Sequence, residues 1–129
     1  MEEMRAHIAA GKLEAADIIK CALGLRDLEV RTYFTLLDGP MQVQEIADKL
    51  QRNRSTVQRS LTNLISKGLA TRRTRNIPRG GYFYEYEAAP PTEVKKMVRA
   101  ALDQWYEKMV HFLEEGWKRP EYHSKPSEN

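Results

Sequence analysis

No Asp or Glu occurs between residues 49 and 84, a window that holds nine Lys or Arg, although the chain carries eighteen acids in all. That gap excludes an evenly mixed, merely solubilising surface over this stretch. Setting the nine aside from a total of twenty-one bases leaves twelve bases against eighteen acids elsewhere, so the remainder is net negative by six. The basic character is therefore local, and sign segregation of this kind marks a surface aimed at a polyanion.

Other shortages narrow the field further. A single Cys21 excludes an internal disulfide and agrees with a reducing compartment; inside a helix it is expected as a small buried apolar group. No apolar run approaches the roughly 20 residues of a spanning helix. The N-terminal stretch MEEMRAHIAAGK begins acidic and has no long apolar centre, which excludes a secretory signal. The expectation is a cytoplasmic protein without a membrane partner. His7, His111 and His123 are scattered, so no metal site is expected. There is also no Gly-rich phosphate loop, no nucleophile with a placed base and no carboxylate pair at a strand end. Neither catalysis nor a cofactor is expected.

What is present is mainly helical. At 129 residues and 41% hydrophobic content, the chain has the length and apolar content of one folded unit. Between residues 2 and 23, Met4, Ile8, Gly11, Ala15, Ile18 and Ala22 recur in steps of four and three, a helix seam that Gly11 weakens. The run RDLEVRTYFTLLDGP predicts a helix with Leu28, Tyr33, Phe34, Leu36 and Leu37, ended by Gly39 and Pro40. Glu29 stands where a capping-box acid belongs, whereas Arg26 is a poor cap. A two-turn helix follows, beginning near residues 42–44 and carrying Val43, Ile46, Ala47 and Leu50.

After the turn QRN, Asn53 is a good N-cap for RSTVQRSLTNLISK, and Gly68 suits its left-handed end. Two helices joined by so short a turn predict a helix-turn-helix. Val57, Leu61, Leu64 and Ile65 share a face expected to be buried. Arg54, Ser55, Gln58, Arg59 and Thr62 lie on the exposed side and are the candidate base contacts, since Arg matches guanine N7 and O6 and Gln matches adenine N6 and N7. The structural alternative is an ordinary solvated helix face, which the missing acids and the basic hairpin disfavour.

LATRRTR, the turn NIPRGG and YFYEYEAA predict that hairpin. Arg72, Arg73, Arg75 and Arg79 on it, with Gln44 and Arg52 ahead of the second helix, are the candidate backbone contacts. Tyr82, Tyr84 and Tyr86 alternate to one side and are expected mainly to pack. Phe83, Glu85 and Glu87 take the other side, where the acids would repel phosphate.

Pro90 and Pro91 stop the hairpin, and Thr92 is expected to cap a last helix running to about Trp117. Val98, Leu102, Trp105, Met109 and Phe112 follow steps of four, three, four and three, a coiled-coil seam too long for one small domain to cover. With Ile8, Ala15 and Ile18 it forms the candidate dimer interface. Residues 119–129, polar with two prolines, read as a flexible tail. The expected organisation is thus a dimerisation helix over 1–23, a DNA-binding domain over 24–91, a second dimerisation helix over 92–118, and the tail.

The wording of residues 23–91 resembles the DNA-binding domain of archaeal TrmB-like regulators and, more distantly, MarR-type regulators. The landmarks are LGL, EIADKL, RSTVQRSLTNLISKGL and the PP closing the hairpin, together about half of the chain. The order of helices and hairpin, with this resemblance, predicts a winged helix-turn-helix, mainly α with a small β-hairpin, and the two apolar seams add long N- and C-terminal dimerisation helices. Two departures stand out. Full-length TrmB-like regulators carry a sugar-binding domain after the winged helix, where this sequence continues only with a helix and a tail, so sugar sensing is not carried over. That family also usually places Ser or Thr at the cap where Arg26 stands.

The expected function is a homodimeric, sequence-specific regulator of transcription that binds double-stranded DNA, with repression by occlusion as the simpler mode. MarR-like dimers bind small aromatics between such helices, which leaves room for an effector without indicating one. Two alternatives carry different consequences. A protein-binding winged helix of a transcription assembly would give no gel shift with duplex DNA. An architectural DNA binder would return no enriched motif from a random pool.

Overall fold

The computed structural model describes residues 14–117. Within them five helices and a hairpin follow in the order α1 (Ala15–Leu23), α2 (Asp27–Leu36), α3 (Val43–Leu50), α4 (Arg54–Ser66), β1 (Ala70–Asn76), β2 (Tyr82–Ala88) and α5 (Pro91–Glu115). The expected seam residues Met4 and Ile8 and the expected tail lie outside the described residues.

Helix starts here are fixed chiefly by acids three residues in. The backbone N–H of Glu14 donates to Asp17 Oδ2 at 3.1 Å, that of Arg26 to Glu29 Oε1 at 3.0 Å, and that of Gln42 to Glu45 Oε1 at 2.9 Å. Arg26, which offers no acceptor to α2, is therefore no obstacle, because Glu29 supplies the cap from inside the helix. At the start of α5 the expectation is off by two positions. Pro90 is the cap and Pro91 occupies the first helical position, where the missing N–H costs nothing; Thr92 already lies inside.

Helix α4 is built differently. Asn53 caps it, its Oδ1 accepting from the Thr56 N–H at 2.8 Å, and among the described helices it has no acid in its first turn. Its C-terminus closes in a Schellman pattern: the Gly68 N–H donates to the Ile65 carbonyl at 3.0 Å, and the Leu69 N–H to the Leu64 carbonyl at 2.8 Å. Gly68 makes that turn with φ 79°, a left-handed value where a side chain would be strained.

The core lies beneath α4. Val57, Leu61, Leu64 and Leu69 are fully buried and pack with Val30, Tyr33, Leu36, Ile46, Leu50 and Tyr86. Ile65, expected among them, is instead 37% exposed. At about 100° per residue it falls some 80° around the helix from Val57, on the flank facing the hairpin, while Ser60 takes the fourth buried position. Two polar ties cross this core. Glu29, only 5% exposed, accepts from Asn63 Nδ2 at 2.7 Å through its second oxygen, joining α2 to α4. The Tyr33 hydroxyl donates to the Ala89 carbonyl at 2.9 Å, and burial pushes that phenol above its ordinary pKa, so it remains a neutral donor.

Strands β1 and β2 pair antiparallel, with Arg72 opposite Tyr86, Arg73 opposite Glu85 and Thr74 opposite Tyr84. Met41 adds a one-residue bridge to Tyr86, with N–H to carbonyl bonds of 3.0 and 2.7 Å in the two directions. The hairpin is thereby clamped to the segment that leads into α3. Helix α5 then runs 25 residues, about 37 Å, along α1. Together the elements form a helix-turn-helix followed by a wing.

The two polar anchors differ in expected cost. Asn53→Ala should lower the stability by about 1 kcal/mol through the lost cap. Glu29→Ala should lower it by about 2 kcal/mol or more, because the same change removes a cap and leaves the half-buried Asn63 amide without its partner. Urea unfolding midpoints of the two variants check the order.

Candidate nucleic-acid interface

Arg54, Ser55, Arg59 and Thr62 are exposed on α4, opposite its buried face, and Gln58 is half-buried beside them. With no acid in its first turn, α4 keeps its positive dipole end beside Arg54, the arrangement that favours an anion. The Thr62 hydroxyl donates back to the Gln58 carbonyl at 3.0 Å. Gln58 is more constrained than its sequence position suggests, since its Nε2 donates to the Tyr86 hydroxyl at 3.1 Å across the gap between helix and wing.

The wing divides its arginines between two faces. Arg72 shares the tyrosine face and lies 4.0 Å from the ring centre of Tyr84, a cation–π contact. Together with Gln58, Thr62, Ile65 and Tyr86 it lines a groove of about 640 Å³ between α4 and the wing. Arg73 and Arg75 point to the other side, where they meet acids: Arg73 is 3.1 Å from Glu87, and Arg75 is 2.8 Å from Glu85. The repulsive Glu face anticipated from the alternation is thus neutralised by the wing's own arginines. Arg79 stands exposed in the turn, which Ile77 and Gly81 close with a 3.0 Å backbone bond.

Packing accounts for the tyrosines only at the base of the wing. Tyr86 is buried, Tyr84 is half-buried under Arg72, and Tyr82 at the tip is 59% exposed, its ring 5.5 Å from that of Tyr84 in an edge-to-face pair. A side-chain hydrogen bond to Tyr84 is the main cause that raises the Tyr82 phenol above its ordinary pKa. It adds no negative charge beside the basic surface at neutral pH.

Elsewhere the candidate cations and amides are drawn partly into the fold. Gln44 Nε2 donates to Asp48 Oδ1 at 2.9 Å, and Arg52 reaches the Gln51 carbonyl at 3.4 Å, both at the surface. Lys67, counted in the acid-free window, donates to the Leu23 and Gly24 carbonyls at 3.2 and 3.1 Å and so caps α1. Composition could not separate that role from the others, because a C-terminal carbonyl 43 residues away leaves no local signal. Cys21, expected to be buried, is exposed where α1 faces Trp105 and Lys108 of α5. Among the described residues no His, Cys, Asp and Glu cluster could hold a metal, and no helix is long and apolar enough to cross a membrane.

Of the candidate interface between subunits, Val98 is buried by its own chain, as is Val94, which the sequence reading had not singled out. Ala15 is exposed, and Ile18 packs partly against the core. Leu102, Trp105, Met109 and Phe112 become progressively more exposed along α5, from 38% to 71%.

A family model described as "Sugar-specific transcriptional regulator TrmB" matches residues 19–92. An uncharacterized protein of Methanocaldococcus jannaschii is 39% identical over 99 residues, which span 76% of this chain and 75% of that protein. Among solved structures, a possible transcriptional regulator from Methanosarcina mazei Go1 superposes with a TM-score of 0.72 at 26% identity, covering 83% of this chain and 91% of that one. MepR of S. aureus, solved as a DNA complex, shares the fold at a TM-score of 0.55 and 24% identity, covering 88% of this chain and 92% of its own. With over half its length inside the family model and a relative of this closeness, the winged helix-turn-helix chain belongs to the TrmB family of transcriptional regulators.

Proposed function

We propose that the protein is a homodimeric regulator that binds double-stranded DNA in a sequence-specific manner and represses by occluding its site. One observation carries the reading. The exposed side of α4 lies in a stretch without acids, its first turn is capped by a neutral Asn, and Arg72 stands beside it on the wing. An α-helix of this kind fits the major groove, where Arg54, Ser55, Gln58, Arg59 and Thr62 meet base edges and phosphates. Arg72 and Arg79, with Arg52 and Gln44 ahead of α4, supply the contacts to backbone.

Two further observations support the reading. MepR, whose fold is similar, was solved bound to DNA. Among the described residues, the apolar stripe from Leu102 to Phe112 stays 38–71% exposed and has the spacing of a coiled-coil seam, which suits a second subunit. Twofold symmetry then spaces two α4 helices about 34 Å apart, one turn of duplex.

If each subunit neutralises about four phosphates, the slope of log K against log salt is near −7 between roughly 50 and 200 mM. Fluorescence anisotropy with a labelled duplex measures it, and a flat response contradicts the electrostatic basis of the proposal. Variants separate the roles of the cations. Arg59→Ala should erode the preference between sites by about 1–3 kcal/mol at one base pair. Arg72→Ala should weaken all duplexes alike and reduce the magnitude of the slope by about one per subunit. Arg73→Ala should do less than Arg72→Ala, because Arg73 is already paired with Glu87.

A further inference from the structure

Tyr86 does more than fill the core. Its ring is 2% exposed, its backbone is hydrogen-bonded in both directions to Met41, and β1 pairs with it through Arg72. Its hydroxyl is therefore a fixed point. That fixed point meets Gln58, on the exposed side of α4, through the 3.1 Å bond from Nε2. Gln58 and Tyr86 together line both the groove of about 640 Å³ toward Arg72 and a second of about 320 Å³ toward Arg54 and Tyr82. The pair stands between the two, with Tyr86 buried and Gln58 half-buried.

A carboxamide carries two N–H donors and one oxygen acceptor. Reading an adenine edge uses one N–H, given to N7, and the oxygen, which accepts from N6. The remaining N–H is the one a protein partner can take without competing. We infer that Tyr86 is a positioning residue for base readout: its hydroxyl takes one Gln58 N–H and so holds the carboxamide's oxygen and second N–H in place for an adenine. This rests on the proposed DNA-binding function and assigns a specificity role to a wing residue that does not itself contact a base. A Gln side chain otherwise has three rotatable bonds to order when it binds, and a preset orientation removes part of that cost.

The test is Tyr86→Phe, which deletes the hydroxyl and keeps the buried ring. Affinities are measured for a duplex selected from a random pool, for the same duplex changed at the base pair whose preference Gln58→Ala abolishes, and for a random duplex. The expected result is a roughly three- to tenfold loss of discrimination at that pair, with unaltered salt slope and unaltered affinity for random DNA. Adding Gln58→Ala to Tyr86→Phe should cause no further loss beyond Gln58→Ala alone. Full discrimination in Tyr86→Phe overturns the inference. So does an equal loss on all three duplexes accompanied by a lower melting temperature, which marks a structural role only. The Gln58 side-chain amide signals in the nuclear magnetic resonance spectrum of the free protein give an independent readout. They should be well dispersed in the native chain and collapse toward random-coil positions in Tyr86→Phe; unchanged signals contradict the tether. Absence of any duplex binding by the native chain overturns the DNA-binding proposal instead, and the amide signals still decide whether Tyr86 holds Gln58.

Discussion

A helix that offers one face to a polyanion must be held entirely by the other, and in α4 that hold is Val57, Leu61 and Leu64, fully buried beneath it. Truncating any of them would cost on the order of 2–4 kcal/mol, a large part of the stability of a domain this size. The ends of the helix are secured without charge. Asn53 caps one end, Gly68 and Leu69 fold back over the other, and Asn63 reaches down to the buried carboxylate of Glu29. An acid in the first turn, which the other described helices all use, would stabilise the helix and spoil its electrostatics. The substitution of Asn for that device is where stability and the proposed function meet.

The wing follows the same economy of charge. Its two faces are chemically distinct because strand residues alternate. One face holds Arg73 and Arg75 against Glu87 and Glu85, so its charges largely cancel. The other holds Arg72 over Tyr84, Tyr86 beneath Gln58, and Tyr82 at the tip. A positive charge that is stacked rather than ion-paired keeps its field directed outward. The field beside α4 is thus more concentrated than the count of arginines implies, and the wing's contribution comes from fewer residues than its sequence displays.

Much of this architecture was legible in the chain. Helical spacing located α2, α3 and α4; Asn53 and Gly68 set the limits of α4; NIPRGG and the alternating YFYEYEAA gave the hairpin. Where the reading slipped, the cause was geometry that periodicity does not encode. Ile65 lies close enough in angle to Val57 to look buried, yet the core is centred nearer Ser60. Thr92 looked like a cap because it is a capping residue type, but Pro91 suits the first helical position better. Lys67 seemed part of the basic surface, whereas its ammonium closes α1. Pairings such as Gln58 with Tyr86 or Glu29 with Asn63 join residues 28 and 34 apart, and no local pattern announces them.

The proposed binding mode places the outer face of α4 in the major groove of duplex DNA, twice per dimer. Dimethyl sulfate protection on a duplex enriched from a random pool tests it directly, because the reagent attacks guanine N7, which faces that groove. Two protected clusters about 10 base pairs apart, centre to centre, are expected on one side of the duplex. Unprotected N7 positions on a duplex that the protein nonetheless binds would contradict it.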